Sequence, residues 1–110
     1  MGEQIGVLLA IDEPEFVDYA SSVLREAGFA VVETGGGSDC LQAAREHRPR
    51  VILIDADLTA PPGHQMCAQL KDDPLLRSSK IVLVLADGQH AGKAAAGLNA
   101  GADGYFTRPI

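Results

Sequence analysis

Two carboxylates in this chain stand where apolar runs stop. Asp55 closes Val51–Ile54 (VILI), and Asp12, followed by Glu13, closes the run Ile5–Ile11 (IGVLLAI). A further acid at Asp57, two prolines and Gly63 follow Asp55. If both runs are neighbouring strands of one sheet, Asp12 and Asp55 converge at one edge. Carboxylates brought together at a buried rim repel and raise each other's pKa unless a cation lies between them. A hard divalent ion with oxygen ligands, Mg²⁺ for preference, is the natural solution. A carboxylate held against such an ion can attack a phosphoryl donor, because the metal neutralises charge on the transferring group. The plainer reading is that both acids end strands in solvent, and the pattern by itself leaves the two readings open.

Other residue types with chemical potential are less telling. Cys40 and Cys67 have neither CxxC spacing nor a histidine at zinc-like spacing, so they read as small buried or helix-surface thiols of a reducing cytosol. His47, His64 and His90 are scattered over helix ends and loops and read as surface histidines. Met66 and Cys67 read as packing. Lys71–Pro74 (KDDP) reads as a solvated loop that ends a helix. The glycine-rich stretch Thr34–Ser38 (TGGGS) follows the second apolar run, not the first. It lacks the GxGxxG and GxxxxGK[ST] spacings, so it reads as a β–α turn rather than a phosphate cradle, and a flavodoxin-type cofactor is not expected.

The elements that must hold the acids are legible from periodicity. Five apolar runs, Ile5–Ile11, Phe29–Glu33, Val51–Ile54, Ile81–Leu85 and Gly104–Thr107, suit strands, and the continuous β-branched runs suit strands buried on both faces. Between them, Phe16, Tyr19, Ala20, Val23 and Leu24 fall on one helical stripe after Pro14, and Gly28 stops that helix. A second helix carries Leu41, Ala43 and Ala44, with Ser38 or Asp39 as cap and Pro49 as terminator. His64–Lys71 gives a third and the alanine-rich Ala91–Ala100 a fourth. Strict alternation of strand and helix implies one α/β domain over residues 1–110, a doubly wound parallel sheet with right-handed crossovers. In such folds the chemistry sits beyond the carboxyl ends of the strands.

Size and charge narrow the functions further. At 110 residues and 46% hydrophobic, the chain can bury one small core. A net charge of −6 argues against nucleic-acid binding through the general surface of this domain, although an attached domain could still bind it. No segment approaches the ~20 apolar residues of a membrane span, and no export signal is visible, so a cytoplasmic location is expected.

The chain resembles the receiver domain of bacterial response regulators, the CheY-like superfamily. The pieces that carry the resemblance are DEPEFVDYASSVLREAGFAVVE, HRPRVILIDADL, CAQLKDDPLLRSSKIVLVLA and above all LNAGADGYFTRPI, similar to the family's LxAGADDYLxKPF. The resemblance implies a flavodoxin-like five-stranded sheet of order 2-1-3-4-5. It implies a signalling module rather than an enzyme, with Asp55 as acceptor of a phosphoryl group from a histidine kinase or phosphotransfer protein. The family's metal is held by the acceptor, here Asp55, by an acid pair after strand one, and by the backbone carbonyl two residues past the acceptor, here Asp57. Gly63, eight residues after Asp55, also matches the family pattern.

Several positions depart from it. Counted back without a gap, Asp12 takes the second position of the acid pair and Ile11 the first; sliding the loop by one residue pairs Asp12 with Glu13 but needs a deletion. The family's Thr or Ser at the end of strand four is Leu85, which can donate no hydrogen bond. The family's Lys before proline is Arg108, which keeps the charge but not the compact ammonium. The aromatic switch position is retained as Tyr105. The resemblance therefore implies phosphate acceptance at Asp55 with atypical switch residues and a weakened Mg²⁺ site. The alternative is a pseudo-receiver, a phosphorylation-independent docking module. A downstream output domain or partner protein, and a homodimer, are the further partners implied. The face around Tyr105 is the expected contact surface. Receivers normally continue into a fifth helix, and the expectation from the sequence is that this final helix is missing from the chain.

Overall fold

In a computed structural model, the chain is described over residues 5–34, 39–58, 62–86 and 91–107, with only the backbone described at Ala91, Lys93 and Ala94. The elements run β1 (Gly6–Ala10), α1 (Pro14–Glu26), β2 (Ala30–Glu33), α2 (Cys40–His47), β3 (Val51–Asp55), α3 (Gly63–Asp72), a 3-10 turn (Pro74–Leu76), β4 (Lys80–Leu85), α4 (Ala91–Asn99) and β5 (Gly104–Thr107). The sheet is entirely parallel, in the order β2-β1-β3-β4-β5. This is the order expected from the sequence. Pro14 opens α1, where its missing N–H costs nothing, and Gly28, at φ 97°, lets the chain leave that helix in the left-handed region.

Alternation along the strands divides the core. Leu8 and Ala10 of β1 join Ile52, Ile54, Ile81 and Leu83 against Cys40 and Ala44 of α2 and Met66, Cys67 and Leu70 of α3. Val7 and Leu9 face the other way, with Val84, against Val17 and Ala20 of α1. Side chains two residues apart share a face, so each strand feeds both layers. Ile11 extends the second set one residue past the strand and is 1% exposed.

Two local expectations are corrected. The buried stripe of α1 is Val17, Ala20 and Ser21, flanked by half-buried Phe16 and Leu24; Tyr19 and Val23 face solvent at 59% and 47% exposure. The helix is rotated so that Ser21 turns inward, where its hydroxyl donates to the Glu33 carboxylate at 2.7 Å. The KDDP loop is not wholly solvated. Asp73 is buried, accepts from the Arg45 guanidinium of α2, and takes the Leu75 N–H at 3.0 Å. Asp39 does occupy the N-cap position of α2, but its side chain makes no capping bond; Ser38 lies outside the described residues.

Candidate functional site

β1 and β3 are neighbours, paired Leu9↔Leu53 and Ala10↔Ile54. Their carboxyl ends therefore lie side by side, and the residues just past those pairs are Ile11-Asp12 on one strand and Asp55 on the other. On its far side Asp55 is level with Val84 of β4, and the Ala56 N–H continues the pairing to the Val84 carbonyl at 2.9 Å. Asp55 thus ends a central strand, flanked on both sides by others.

That position buries it. Asp55 is 5% exposed. One carboxylate oxygen accepts the Asp57 N–H at 2.9 Å, a turn in which an aspartate side chain stands in for a backbone carbonyl. From the described residues the other oxygen accepts no hydrogen bond. Asp73, the other buried carboxylate of the described residues, differs in having the Arg45 guanidinium. A buried carboxylate costs several kcal/mol unless it is paired or binds a cation, so the two buried acids have different electrostatic standing (penalty of order several kcal/mol per ion).

The chain after Asp55 folds back tightly. Leu58 donates to the Asp55 carbonyl at 3.1 Å, and Gly63 donates to the Leu58 carbonyl at 3.2 Å. A Cβ on Gly63 would lie 2.9 Å from the Asp55 carbonyl oxygen and 3.2 Å from Ala56. Only glycine lets α3 begin so close to the strand end.

The remaining expected residues are spread around this point. Asp12 and Glu13 are exposed, so the rim holds one buried carboxylate rather than two. Asp12 lines a cavity of about 210 Å³ with Ile11, Pro14, Val17, Asp18 and Glu33, on the α1 side of the sheet. Asp57 is exposed and lines a different cavity, about 450 Å³, with Ala56, Leu58, Pro62, His64, Leu83 and Ala96. His64 shares that cavity with Asp57. Its place in the first turn of α3, after the Pro-Gly opening, was the only signal in the sequence that could have suggested this. Leu85 is 3% exposed and level with Thr107; Tyr105, two residues earlier on β5, is level with Leu83 and 53% exposed. Arg108 and His90 lie outside the described residues. Among the described residues no group of three or more His, Cys, Asp or Glu stands close enough to hold a metal by protein ligands alone.

The perturbed groups lie away from the strand ends. Burial pushes the Cys40 thiol up to about 12, with the Cys67 thiol adding to the effect, and burial pushes Cys67 up to about 11. Asp73 is held below the ordinary carboxylate range by the Arg45 bond and the Leu75 N–H. Burial would raise Asp103, but its bonds from Lys71 and the Ile81 N–H outweigh this and leave it lowered.

The response regulator receiver domain family matches residues 7–110. The chain belongs to that family. It is 32% identical over 104 residues to the DNA-binding response regulator MtrA of Mycolicibacterium smegmatis, covering 94% of this chain and 44% of that protein. It is 31% identical over 110 residues to the transcriptional regulatory protein CseB of Streptomyces avermitilis, covering 100% and 45%. The receiver domain therefore spans less than half the length of these curated relatives. Among solved structures it superposes on a response regulator from Chloroflexus aurantiacus with a TM-score of 0.89 at 27% identity, covering 98% of this chain and 88% of that one. It shares its fold with the receiver domain of the sensor histidine kinase PA1611 from Pseudomonas aeruginosa, solved with a magnesium ion in its active-site cleft (TM-score 0.87, 23% identity, 98% and 88% covered). No described helix is long and apolar enough to cross a membrane.

Proposed function

We propose that this receiver domain accepts a phosphoryl group on Asp55 from a phosphohistidine of a kinase or phosphotransfer protein, and that its output is not carried by the hydroxyl-based switch of its relatives. The observation behind the reading is the state of Asp55: a carboxylate 5% exposed at the end of a central strand, with, among the described residues, one oxygen unbonded and no cation beside it comparable to Arg45 at Asp73. In the transfer, an Asp55 carboxylate oxygen attacks phosphorus, a P–O bond forms, the P–N bond to the donor histidine breaks, and the imidazole leaves with the bond's electron pair and takes up a proton. The product is an acyl phosphate on Asp55.

The donor set suits a hard cation. The Asp55 carboxylate, the Asp12 carboxylate and the Asp57 carbonyl are the oxygens that would hold Mg²⁺, which prefers few protein ligands and keeps several waters. When bound, the ion offsets the negative charge of acceptor and phosphoryl group. Ile11 gives this site one carboxylate fewer than an acid pair would, which favours weak binding. The Asp57 N–H fixes one Asp55 oxygen and leaves the other as nucleophile.

Leu85 supports the second reading, that of a phosphorylation-independent docking module. It is an apolar side chain, 3% exposed, at the position from which a hydroxyl would hold the phosphoryl group. A change at Asp55 then meets no hydroxyl at position 85 through which to bias β4 and Tyr105, and a ligand shifts an equilibrium only by its differential contacts. Acetyl phosphate with Mg²⁺, followed by intact mass measurement, tests the proposal. A gain of one phosphoryl mass, absent in Asp55→Asn, is expected; no gain at any Mg²⁺ concentration overturns acceptance and leaves the docking module. Attached output domains, kinase partners and a cytoplasmic setting follow from the same proposal, by likeness to relatives named as DNA-binding and transcriptional regulators.

A further inference from the structure

The end of the sheet opposite Asp55 carries a different charge. A cavity of about 310 Å³ lies at the amino ends of the strands, lined by Ile5, Gly6, Ala30 and Val32 and by the run His47, Arg48, Pro49 and Arg50. No acidic residue is among its described lining residues. The chain has 15 Asp and Glu against 9 Lys and Arg, so a cation here is more easily paired than left alone. Elsewhere among the described residues Arg25 pairs with Glu33, Arg45 with Asp73 and Lys71 with Asp103, while Arg77 and Lys80 make no ion pair. Arg48 and Arg50 form no ion pair with any described residue.

The backbone there is unusual as well. Arg48 has φ 45° and ψ 58°, the one non-glycine residue of left-handed conformation among the described residues. The position follows the last turn of α2, where glycine or asparagine is the common choice. Balancing the α2 dipole explains a cation on the helix end, His47 or Arg48. It does not explain Arg50, which lies beyond Pro49 and is held by its N–H to the Gly6 carbonyl at 2.9 Å and by its carbonyl to the Lys80 N–H at 2.8 Å. Non-glycine residues held in sparsely populated conformations cluster at ligand sites.

We propose that this cavity binds a small molecule carrying a phosphate or diphosphate group. Arg48 and Arg50 supply planar guanidinium forks that match phosphate oxygens, and His47 supplies a third donor. Ile5, Ala30, Val32 and Pro49 provide an apolar wall for the remainder of the ligand. The volume falls at the low end of small-ligand sites, about 300–1,000 Å³. Three basic groups are too few for a nucleic-acid track, which takes on the order of 6–10 phosphate contacts. The site is separate from Asp55 and does not rest on its phosphorylation.

The test is an amide chemical-shift titration of the chain with inorganic pyrophosphate, without Mg²⁺, against sodium chloride at matched ionic strength. Saturable shifts at Ile5, Gly6, His47, Arg48 and Arg50 are expected with pyrophosphate alone. The variant Arg48→Gly with Arg50→Ala should weaken binding at least about tenfold; Arg48→Gly also relieves the left-handed backbone, so a folding defect is not the expected cause of loss. Shifts equal to those in chloride, shifts confined to the Asp55 edge, or unchanged affinity in the double variant would each overturn the proposal. A polyglutamate peptide that shifts these residues where pyrophosphate does not would overturn it too, in favour of an acidic protein partner.

Discussion

Gly63 approaches the Asp55 carbonyl so closely that a Cβ there would stand 2.9 Å from the oxygen. The strand that Asp55 ends and the start of α3 are therefore fitted to each other through backbone, with no side chain between them. Gly63→Ala forces the Asp55–Ala56 backbone or α3 to move. Overpacking of this kind costs about 1–3 kcal/mol. The expected outcome is a lower urea midpoint together with acetyl phosphate labelling of Asp55 slowed about tenfold or more, since small misplacements of a reacting group are costly. Labelling at the full rate would show that the close approach matters for packing alone.

Asp55→Asn separates the electrostatic from the covalent role. The amide keeps the shape and can still accept the Asp57 N–H, but it removes a buried charge without an ion-pair partner among the described residues. Such a charge is a burden to the fold. Thermal stability equal to or above that of the parent is expected in the absence of Mg²⁺, with labelling lost. A large fall in the melting midpoint would mean that the carboxylate is paired more strongly than the described contacts indicate.

The strands were legible because buried parallel strands read as short β-branched runs, and VILI and IVLVL have few other interpretations; their order came from the resemblance to receiver domains. Asp55 was legible as a strand end, and its burial followed from a central position that only the strand order supplies. What escaped the sequence depended on contacts distant along the chain. Asp73 reads as a loop acid until Arg45, 28 residues earlier, is placed against it. Tyr19 and Val23 belong to the apolar set of α1 by composition, yet Ser21 takes the inward position because Glu33 of β2 is there to accept its hydroxyl. The cluster of His47, Arg48 and Arg50 reads as a helix end, and becomes a cavity wall only when Ile5 and Val32 come alongside it.

Leu85→Thr supplies, at the end of β4, the hydroxyl that the proposed function treats as missing. The exchange removes buried apolar volume and adds a polar group at a position 3% exposed, so a stability loss of roughly 1–3 kcal/mol is expected. In return the variant should respond to beryllofluoride with Mg²⁺: amide shifts at Tyr105 and along β5 that the parent does not show. Equal shifts in parent and variant would show that Tyr105 is coupled to Asp55 without the hydroxyl.

The buried thiols set the alkaline limit. Cys40 is pushed up to about 12 and Cys67 to about 11, mainly by burial, whereas an unfolded cysteine ionises near about 8.5. Above about 8.5 the unfolded chain releases thiol protons that the folded chain retains, so the slope of unfolding free energy with pH is negative. The thiol contribution is intact below the unfolded value and falls as the pH rises towards 11 to 12. Replacing both cysteines with alanine should flatten the denaturation profile between about pH 8.5 and 11, and the native parent at pH 8 should resist iodoacetamide until denaturant is added.

Asp73 and Asp103 set the acid limit with the opposite sign. Both are lowered in the folded state, Asp73 chiefly by Arg45, Asp103 by Lys71 and the Ile81 N–H against its own burial. An unfolded aspartate titrates near about 3.9, so below that value the unfolded chain binds protons that these two refuse. Their stabilisation is complete above about pH 4 and is lost as the pH falls through their depressed folded values. Arg45→Ala leaves Asp73 buried beside the Leu75 N–H alone, and its pKa should rise towards or past the ordinary value. The melting midpoint of that variant should fall most at pH 7, and its deficit against the parent should shrink towards pH 3 as acid weakens the parent's Arg45–Asp73 pair. A deficit of the same size at both pH values would assign the loss to the packing of the Arg45 stem against the 3-10 turn rather than to its charge.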